Sequence, residues 1–366
     1  MRKKAGIVGS CLIIIIIGLV TCGVQKNNGT TIDKVQNQQS AGNEKIEHLS
    51  MEIVENVEID ADIENSEVEK CIVYKTTGKE FDINRIKKIL CNDITDLTEE
   101  VDEKKASVEI EDTEGGNLCA STDRLDYEAK DGMADLMILV KYCYWDKIDK
   151  TDAAQAQEFL EEATVKNAVE KLNEIYSLED EQEFYLQKAV KISMTDIIKK
   201  RKKMTGDIVT EAETREFTKD FLTKDAYFLS FTVKNKGIPM ASNREPELQT
   251  GKESSDIQIT NVEVIADKKG LEYLSIQGAF ELEEDREENI ITAQEAVQYI
   301  KSKYDNQVIE EKRTFDKIWL EYIFVSETSI EDYKKGTLEP YWIFVDSKND
   351  AAERINAITG DNFGYE

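Results

Sequence analysis

Histidine is almost missing from this chain: its 366 residues contain one, His48. A Ser or Cys nucleophile served by a histidine base cannot be built from it alone, nor can a metal centre with two imidazole ligands. Basic charge is also scarce, with 47 Lys and Arg against 75 Asp and Glu and a formal charge of −28. The outward field repels polyphosphates, which argues against nucleic-acid binding and against direct adhesion to anionic headgroups. No Cys-x-x-Cys pair occurs, so a four-thiolate zinc site lacks its usual chelating unit. Of three tryptophans, two fall in strongly apolar strands, which leaves little for a sugar-stacking cleft. What is present suffices for roughly two or three domains. A hydrophobic content of 40% supplies their cores.

The one long apolar run is at the start. Arg2, Lys3 and Lys4 precede Leu12 to Val20, which contains five consecutive isoleucines, and Leu19-Val20-Thr21-Cys22 follows. The run is shorter than the ~20 residues of a comfortable membrane-spanning helix and suits the core of a signal peptide. The pattern resembles bacterial lipoprotein signals, in which a Cys behind small or aliphatic residues is diacylated and becomes the first residue after cleavage. Thr21 departs from the usual Gly, Ala or Ser. Cys22 is therefore the candidate lipidation site, and two acyl chains meet the requirement for stable anchoring. An uncleaved anchor with Cys22 as a bystander is the other reading, and both place residues 23 onward outside the cell. Loss of the three basic residues takes the formal charge from −28 to −31. A body so charged should be pushed off an anionic surface.

The periodicities predict an α+β fold of antiparallel sheets with packed helices in two or three modules and a central helical segment. The expected divisions are 1–22, the signal; 23–50, a polar tether ending near an exposed, roleless His48; 51–150, an α+β module; 151–222, helices; 223–285, a strand-rich module; and 286–366, a C-terminal α+β module. Within them, Ile72 to Tyr74 reads as a strand before a Thr77-Gly78-Lys79 turn. Ile83, Ile86 and Leu90 read as a helix capped by Asp82. Met133 to Tyr144 fits either a helix or a buried strand. Leu186, Val190, Met194 and Ile197 suggest a third central helix, which ends in the basic run Lys199 to Lys203. That run reads as a solvated helix end, with anionic lipid or an acidic partner as the alternative. Thr292 and Glu295 form a capping box. Ile318 to Val325 and Tyr341 to Val345 are apolar on both sides, as central strands covered on two faces must be, so Trp319, Tyr322, Phe324, Trp342 and Phe344 are expected in the core. Pro340 is expected at a strand's first residue. Binding residues are expected on the loops 241–256 and 326–337.

Four cysteines lie between residues 71 and 143: Cys71, Cys91, Cys119 and Cys143. An even number confined to one module of an exported chain favours two disulfides of undetermined connectivity, while free buried thiols suit an anaerobe. The acidic stretch Asp60 to Glu64 resembles a calcium loop but lacks the glycine and the final acid, since Asn65 and Cys71 stand there, so it reads as solvated surface.

The pieces Gly237-Ile238-Pro239, Gly270-Leu271, the Thr292 helix, Trp319 to Phe324, Pro340-Tyr341-Trp342 and Ile355 to Gly360 occur in an order that resembles uncharacterised Gram-positive surface lipoproteins related to the YycH/YycI regulators and to PepSY modules. The resemblance covers 225–366, with a divergent earlier copy near 69–130. It implies a C-terminal helix on an antiparallel sheet whose last strand ends in the Thr359-Gly360 turn, and it brings no catalytic residue. The resulting expectation is a non-catalytic, lipid-anchored extracytoplasmic interaction or regulatory protein with a surface or envelope protein partner, no cofactor, no metal and no nucleic acid. A solute- or glycan-binding lipoprotein is the alternative, followed by a carboxylate-dependent hydrolase.

Overall fold

The computed structural model describes residues 47–90, 97–102, 107–112, 115–150, 153–203, 215–240, 260–305, 307–326, 335–349 and 351–362. All fall within one compact unit, Lys45–Glu366. The signal, Cys22, Cys91 and nearly all of both expected binding loops lie outside the described residues. The fold is mixed α+β and mostly strand, with two sheets and, among the described residues, six α-helices.

The first sheet begins with β1 (His48–Val54) and β2 (Val57–Glu64), an antiparallel hairpin turning at Asn56, whose φ is 65°. In β2 the residues Val57, Ile59, Ala61 and Ile63 point inward and Glu58, Asp60, Asp62 and Glu64 outward, the period-2 pattern of a half-buried strand. The acidic stretch is thus the solvent side of a strand, and the polar tether gives way to structure at His48. β3 (Lys70–Gly78) follows and includes Thr77 and Gly78, where a turn was expected. The chain then leaves this sheet until β13 (Phe280–Asn289), β14 (Arg313–Phe315), β15 (Lys317–Ser326), β16 (Lys335–Asp346) and β17 (Ala351–Asn356) complete it. The strand order is β1-β2-β15-β16-β3-β13, with β14 against β2 and β17 against β16.

The second sheet, between these two parts of the sequence, runs β8-β9-β11-β12-β7-β6-β5-β4. Its members are β4 (Leu97–Asp102), β5 (Ser107–Asp112), β6 (Asn117–Ser121), β7 (Arg124–Glu128), β8 (Gln182–Ile192), β9 (Ala226–Asn235), β11 (Asn261–Asp267) and β12 (Gly270–Gln277). The two-residue β10 (Ile238–Pro239) folds back on the end of β9 through Lys236 and Gly237, and pairing continues past the proline, where the Met240 amide donates to the Val233 carbonyl at 2.9 Å and Met240 bridges to Tyr322. The expected divisions therefore do not follow the sheets. Residues 48–78 complete the sheet of the C-terminal strands, and the span 69–130 is divided between both sheets.

Helices cover the second sheet on two sides. The helix α1 (Ile83–Leu90) has its first turn held by Asp82, whose Oδ1 accepts from the Arg85 amide at 3.1 Å. Leu172, Ile175 and Tyr176 of α4 (Ala163–Tyr176) share one core with Leu229, Val264 and Leu274, and the short α3 (Ala153–Glu158) lies beside β8. On the opposite face, α2 (Met133–Lys150) and α5 (Met194–Arg201) bury Leu136, Val140, Cys143, Tyr144, Met194 and Ile197 against Val190, Phe228 and Ile265. The ambiguous Met133 segment is therefore helix. The expected third central helix is divided: Leu186 to Ile192 belong to strand β8, and the helix begins only with α5, which carries Met194, Ile197 and the start of the basic run. A bulge between Leu186 and Lys188 shifts the alternation by one residue, so Leu186 faces the α4 core and Val190 the α2–α5 core, although their spacing of four in the sequence imitates a helical repeat.

The helix α6 (Ala293–Tyr304) starts with the expected capping box, the Thr292 hydroxyl accepting from the Glu295 amide and the Glu295 carboxylate from the Thr292 amide. Its buried face is Ala296, Val297, Ile300 and Tyr304, as the spacing requires. In β15 and β16 every residue from Ile318 to Phe324 and from Tyr341 to Val345 is buried. Ile318, Leu320, Tyr322 and Phe324 face one core and Trp319 and Ile323 a second, so both faces are covered. Pro340 sits inside β16, not at its start. The strand exchanges partners there: β3 pairs through Leu338 and β17 begins at Tyr341, so the missing N–H falls between two ladders. Gly360, at φ +80°, closes the turn after β17, and a Cβ there would run into the Tyr299 ring.

Candidate functional site

The strand order of the first sheet ends at β1 on one side and at β13 on the other, and β13 is the more exposed of the two edges. Among the described residues it pairs only with β3, and from Glu281 to Asn289 all but Leu282 and Glu288 are exposed. Glu281, Glu283, Glu284, Asp285, Glu287 and Glu288 outnumber Arg286, so the edge is acidic. A register shift between Glu284 and Arg286 bulges it. Lys75 holds Asp285 at 2.8 Å, Lys70 holds Glu287 at 2.9 Å and Lys236 holds Glu284 at 3.0 Å. These exposed pairs neutralise part of the charge without closing the edge. Its free backbone groups can accept an added strand, while charge and bulge keep two copies from pairing edge to edge.

A buried polar cluster ties α6 to the same sheet. The Glu353 carboxylate accepts from Lys303 Nζ at 2.8 and 2.7 Å, from the Tyr304 hydroxyl at 2.6 Å and from Asn362 Nδ2 at 3.0 Å. Arg313 Nη1 donates to the Tyr304 oxygen at 3.0 Å. Burial, followed by the Glu353 charge, pushes the Tyr304 phenol up, so it stays protonated. With four hydrogen bonds from three donor groups on its two oxygens, Glu353 is occupied as a clamp and is poorly placed to act as a base. On the other face of the sheet, Trp319 Nε1 donates to Glu321 at 2.7 Å. Burial lowers the neighbouring Arg354 to about 10.

His48 has partners after all. The β1–β2 register places it opposite Asp62, with Nδ1 at 2.7 Å from Asp62 and Nε2 at 3.2 Å from Asp60. The Asp62 hydrogen bond raises its pKa above the ordinary 6.5. The signal for this pairing was the alternation Val57, Ile59, Ala61, Ile63, which marks Asp60 and Asp62 as neighbours on one side of a strand. Among the described residues no group of three or more His, Cys, Asp or Glu side chains could hold a metal ion. No described helix is long and apolar enough to cross a membrane.

The cysteine expectation requires correction. Cys71, Cys119 and Cys143 carry free thiols. Nearness in sequence does not survive folding: Cys71 is on β3 of the first sheet, Cys119 on β6 of the second, and Cys143 on α2, which covers the second sheet. Burial pushes the Cys71 thiol up to about 12 and raises those of Cys119 and Cys143, so all three are held as thiols, not as nucleophilic thiolates, at neutral pH.

No family model matches the chain, and no curated protein matches it. Among solved structures it is similar to an uncharacterized protein from Eubacterium rectale ATCC 33656, with a TM-score of 0.52 and 14% identity over 88% of this chain and 94% of that one. The likeness shows the fold alone, and a shared fold is a frame that can carry different sites.

Proposed function

We propose that the chain is a non-catalytic, lipid-anchored extracytoplasmic interaction protein of a Gram-positive bacterium, acting by binding a protein partner at the cell surface. The observation that carries the reading is β13, a ten-residue strand paired on one side and exposed for most of its length. A partner would add an extended segment along it, with backbone hydrogen bonds supplying affinity and the six acidic side chains selecting basic residues. The anchoring half of the proposal rests on Arg2 to Lys4, the apolar Leu12 to Val20 and Cys22. The helix α6, packed beside β17 and β1 and followed by the Thr359-Gly360 turn, supports treating this part as PepSY-like.

A photo-crosslinking residue at position 287 in cells tests the edge, with the exposed Glu170 on α4 as control. A single envelope protein should be captured from 287 and not from 170. Glu283→Lys with Glu287→Lys should abolish that product while leaving the thermal transition in place. Equal capture at both positions, or capture unaffected by charge reversal, refutes edge docking. Replacement of Cys22 by Ala should release the protein from the membrane fraction or leave it as precursor, and unchanged fractionation refutes the anchor.

A further inference from the structure

The edge of the first sheet opposite β13 is β1, which among the described residues pairs only with β2. From His48, opposite Asp62, to Glu52, opposite Glu58, the pairing runs without a break, and the register shifts only beyond Glu52. The Ile63 amide donates to the Glu47 carbonyl at 2.8 Å, which fixes the alternation along the strand. Glu47, Leu49 and Met51 turn their backbone groups toward β2, while His48, Ser50 and Glu52 turn theirs away from it. The close side-chain approach expected of the second kind of pair is present at His48, whose Nδ1 lies 2.7 Å from Asp62.

This edge lacks the devices that protect β13. His48–Val54 contains no lysine and no proline, and its bulge comes at the far end instead of the middle. Leu49 and Ile53 are each 6% exposed, yet Met51, on the same side between them, is 37% exposed. Ser50 and Glu52 are exposed too.

We infer that β1 pairs antiparallel with β1 of a second copy of this chain, about a two-fold axis at Ser50. Ser50 then lies opposite Ser50 of the second copy and His48 opposite its Glu52. These are the residues whose backbone groups β2 leaves unused, so each pair exchanges two hydrogen bonds across the joint. On the inward side Leu49 meets Met51 of the second copy, in a pair of the closer kind, which covers the exposed methionine.

Charge does not oppose this joint. The nearest charged side chains across it, His48 and Glu52, are complementary. Asp62 stands two strand spacings, ~10 Å, from Glu52 of the second copy, and the two β2 strands with their Asp60 and Asp62 are three spacings, ~14 Å, apart. Both separations exceed the ~8 Å over which charges act at physiological ionic strength. Glu58 is held by Lys312 at 2.8 Å. An isologous contact of this kind closes on itself, so association ends at the dimer. The inference rests on β1 and not on the lipid anchor or the β13 edge proposed above.

The test uses residues 23–366, which contain the whole compact unit without the apolar N-terminal run. Sedimentation equilibrium from ~1 μM to ~1 mM, the range of weak association, should show a monomer passing into a dimer and nothing larger. Ser50→Lys and Ser50→Glu each set like charges against each other on the axis. Either variant alone should stay monomeric while keeping the melting transition of the parent, because Ser50 is exposed. An equal mixture of the two should form the dimer again, since opposite charges then face each other at position 50. Glu287→Lys, on β13, should leave the dimer as it is. A parent that remains monomeric to ~1 mM, or a dimer indifferent to both changes at position 50, overturns the inference. A mixture that stays monomeric overturns it as well, because the axis would then lie elsewhere, and so do species larger than the dimer, which would mean that β1 pairs with a different edge.

Discussion

Trp342 donates its indole N–H to the carbonyl of Ile291 at 2.8 Å, which joins the middle of β16 to the residue just before the N-cap of α6. The ring is 1% exposed, so one side chain both fills the core and fixes where the helix begins. Trp342→Ala should cost about 3–5 kcal/mol in denaturant unfolding. Trp342→Phe should cost less, because it retains most of the packing and gives up a hydrogen bond typically worth about 1 kcal/mol. Equal losses for both variants would show that the hydrogen bond dominates, and no loss would remove Trp342 from the core.

The Lys303–Glu353 pair is the second test. The two side chains are 16% and 6% exposed, so removing one partner strands a charge. Glu353→Ala should destabilise by about 3–5 kcal/mol, and Lys303→Met combined with Glu353→Leu by much less than the sum of the single changes. Additive losses in a double-mutant cycle would mean that the two groups do not depend on each other.

Because His48 is the one imidazole in the chain, its titration can be followed by a single set of ring resonances. The Asp62 hydrogen bond raises its folded pKa above 6.5, and Asp62→Asn should bring it back toward that value. Raised in the fold, the pair contributes stability that is complete below 6.5 and is lost as pH climbs through the folded pKa. A midpoint at or below 6.5 in the parent would refute the contact.

The thiols provide a fourth test. Under native conditions at neutral pH, iodoacetamide should modify Cys119, which is partly exposed, before Cys71 or Cys143, which are buried. Peptide mass spectra before and after unfolding would show this, and rapid native labelling of Cys71, or its recovery in a disulfide, would contradict the fold around it.

Some of this architecture is legible in the sequence because its cause is local. The capping box and buried face of α6 lie within thirteen residues, from Thr292 to Tyr304. The continuous apolar runs of β15 and β16 announce burial on both sides. In β8 the local signal misleads, since the bulge after Leu186 breaks the alternation that identifies a strand. The hairpin of β1 and β2 is hidden by composition: its outward side is so acidic that the apolar alternation beneath it reads as solvated chain. The site features depend on register and packing. Asp62 meets His48 through hairpin pairing, and the β13 edge exists because β3, far back in the sequence, occupies its other side. On α2, the residues Met133, Leu136, Met137, Val140 and Tyr144 already imply an opposite face containing Ile138, Tyr142 and Trp145. Whether that face is covered is decided by the remainder of the fold.

The place where the chain passes between the sheets is closed by three backbone hydrogen bonds: Lys79 N to the Ala279 carbonyl at 2.9 Å, Asp123 N to the Lys79 carbonyl at 2.9 Å and Ala279 N to the Asp123 carbonyl at 3.1 Å. This ring has a consequence for the order in which the protein can assemble. Both neighbours of β3, β13 and β16, come from beyond it in the sequence, the nearer one roughly 200 residues later, and loops of that length make such pairings slow. During synthesis β3 therefore emerges with both edges open, and it remains an aggregation hazard until nearly the whole chain has been made. The intervening sheet, whose residues all lie between Lys79 and Ala279 and whose β4 to β7 are successive hairpins, can form first and bring Lys79 and Ala279 together, so the inserted part serves as the template on which the sheet begun before it is completed.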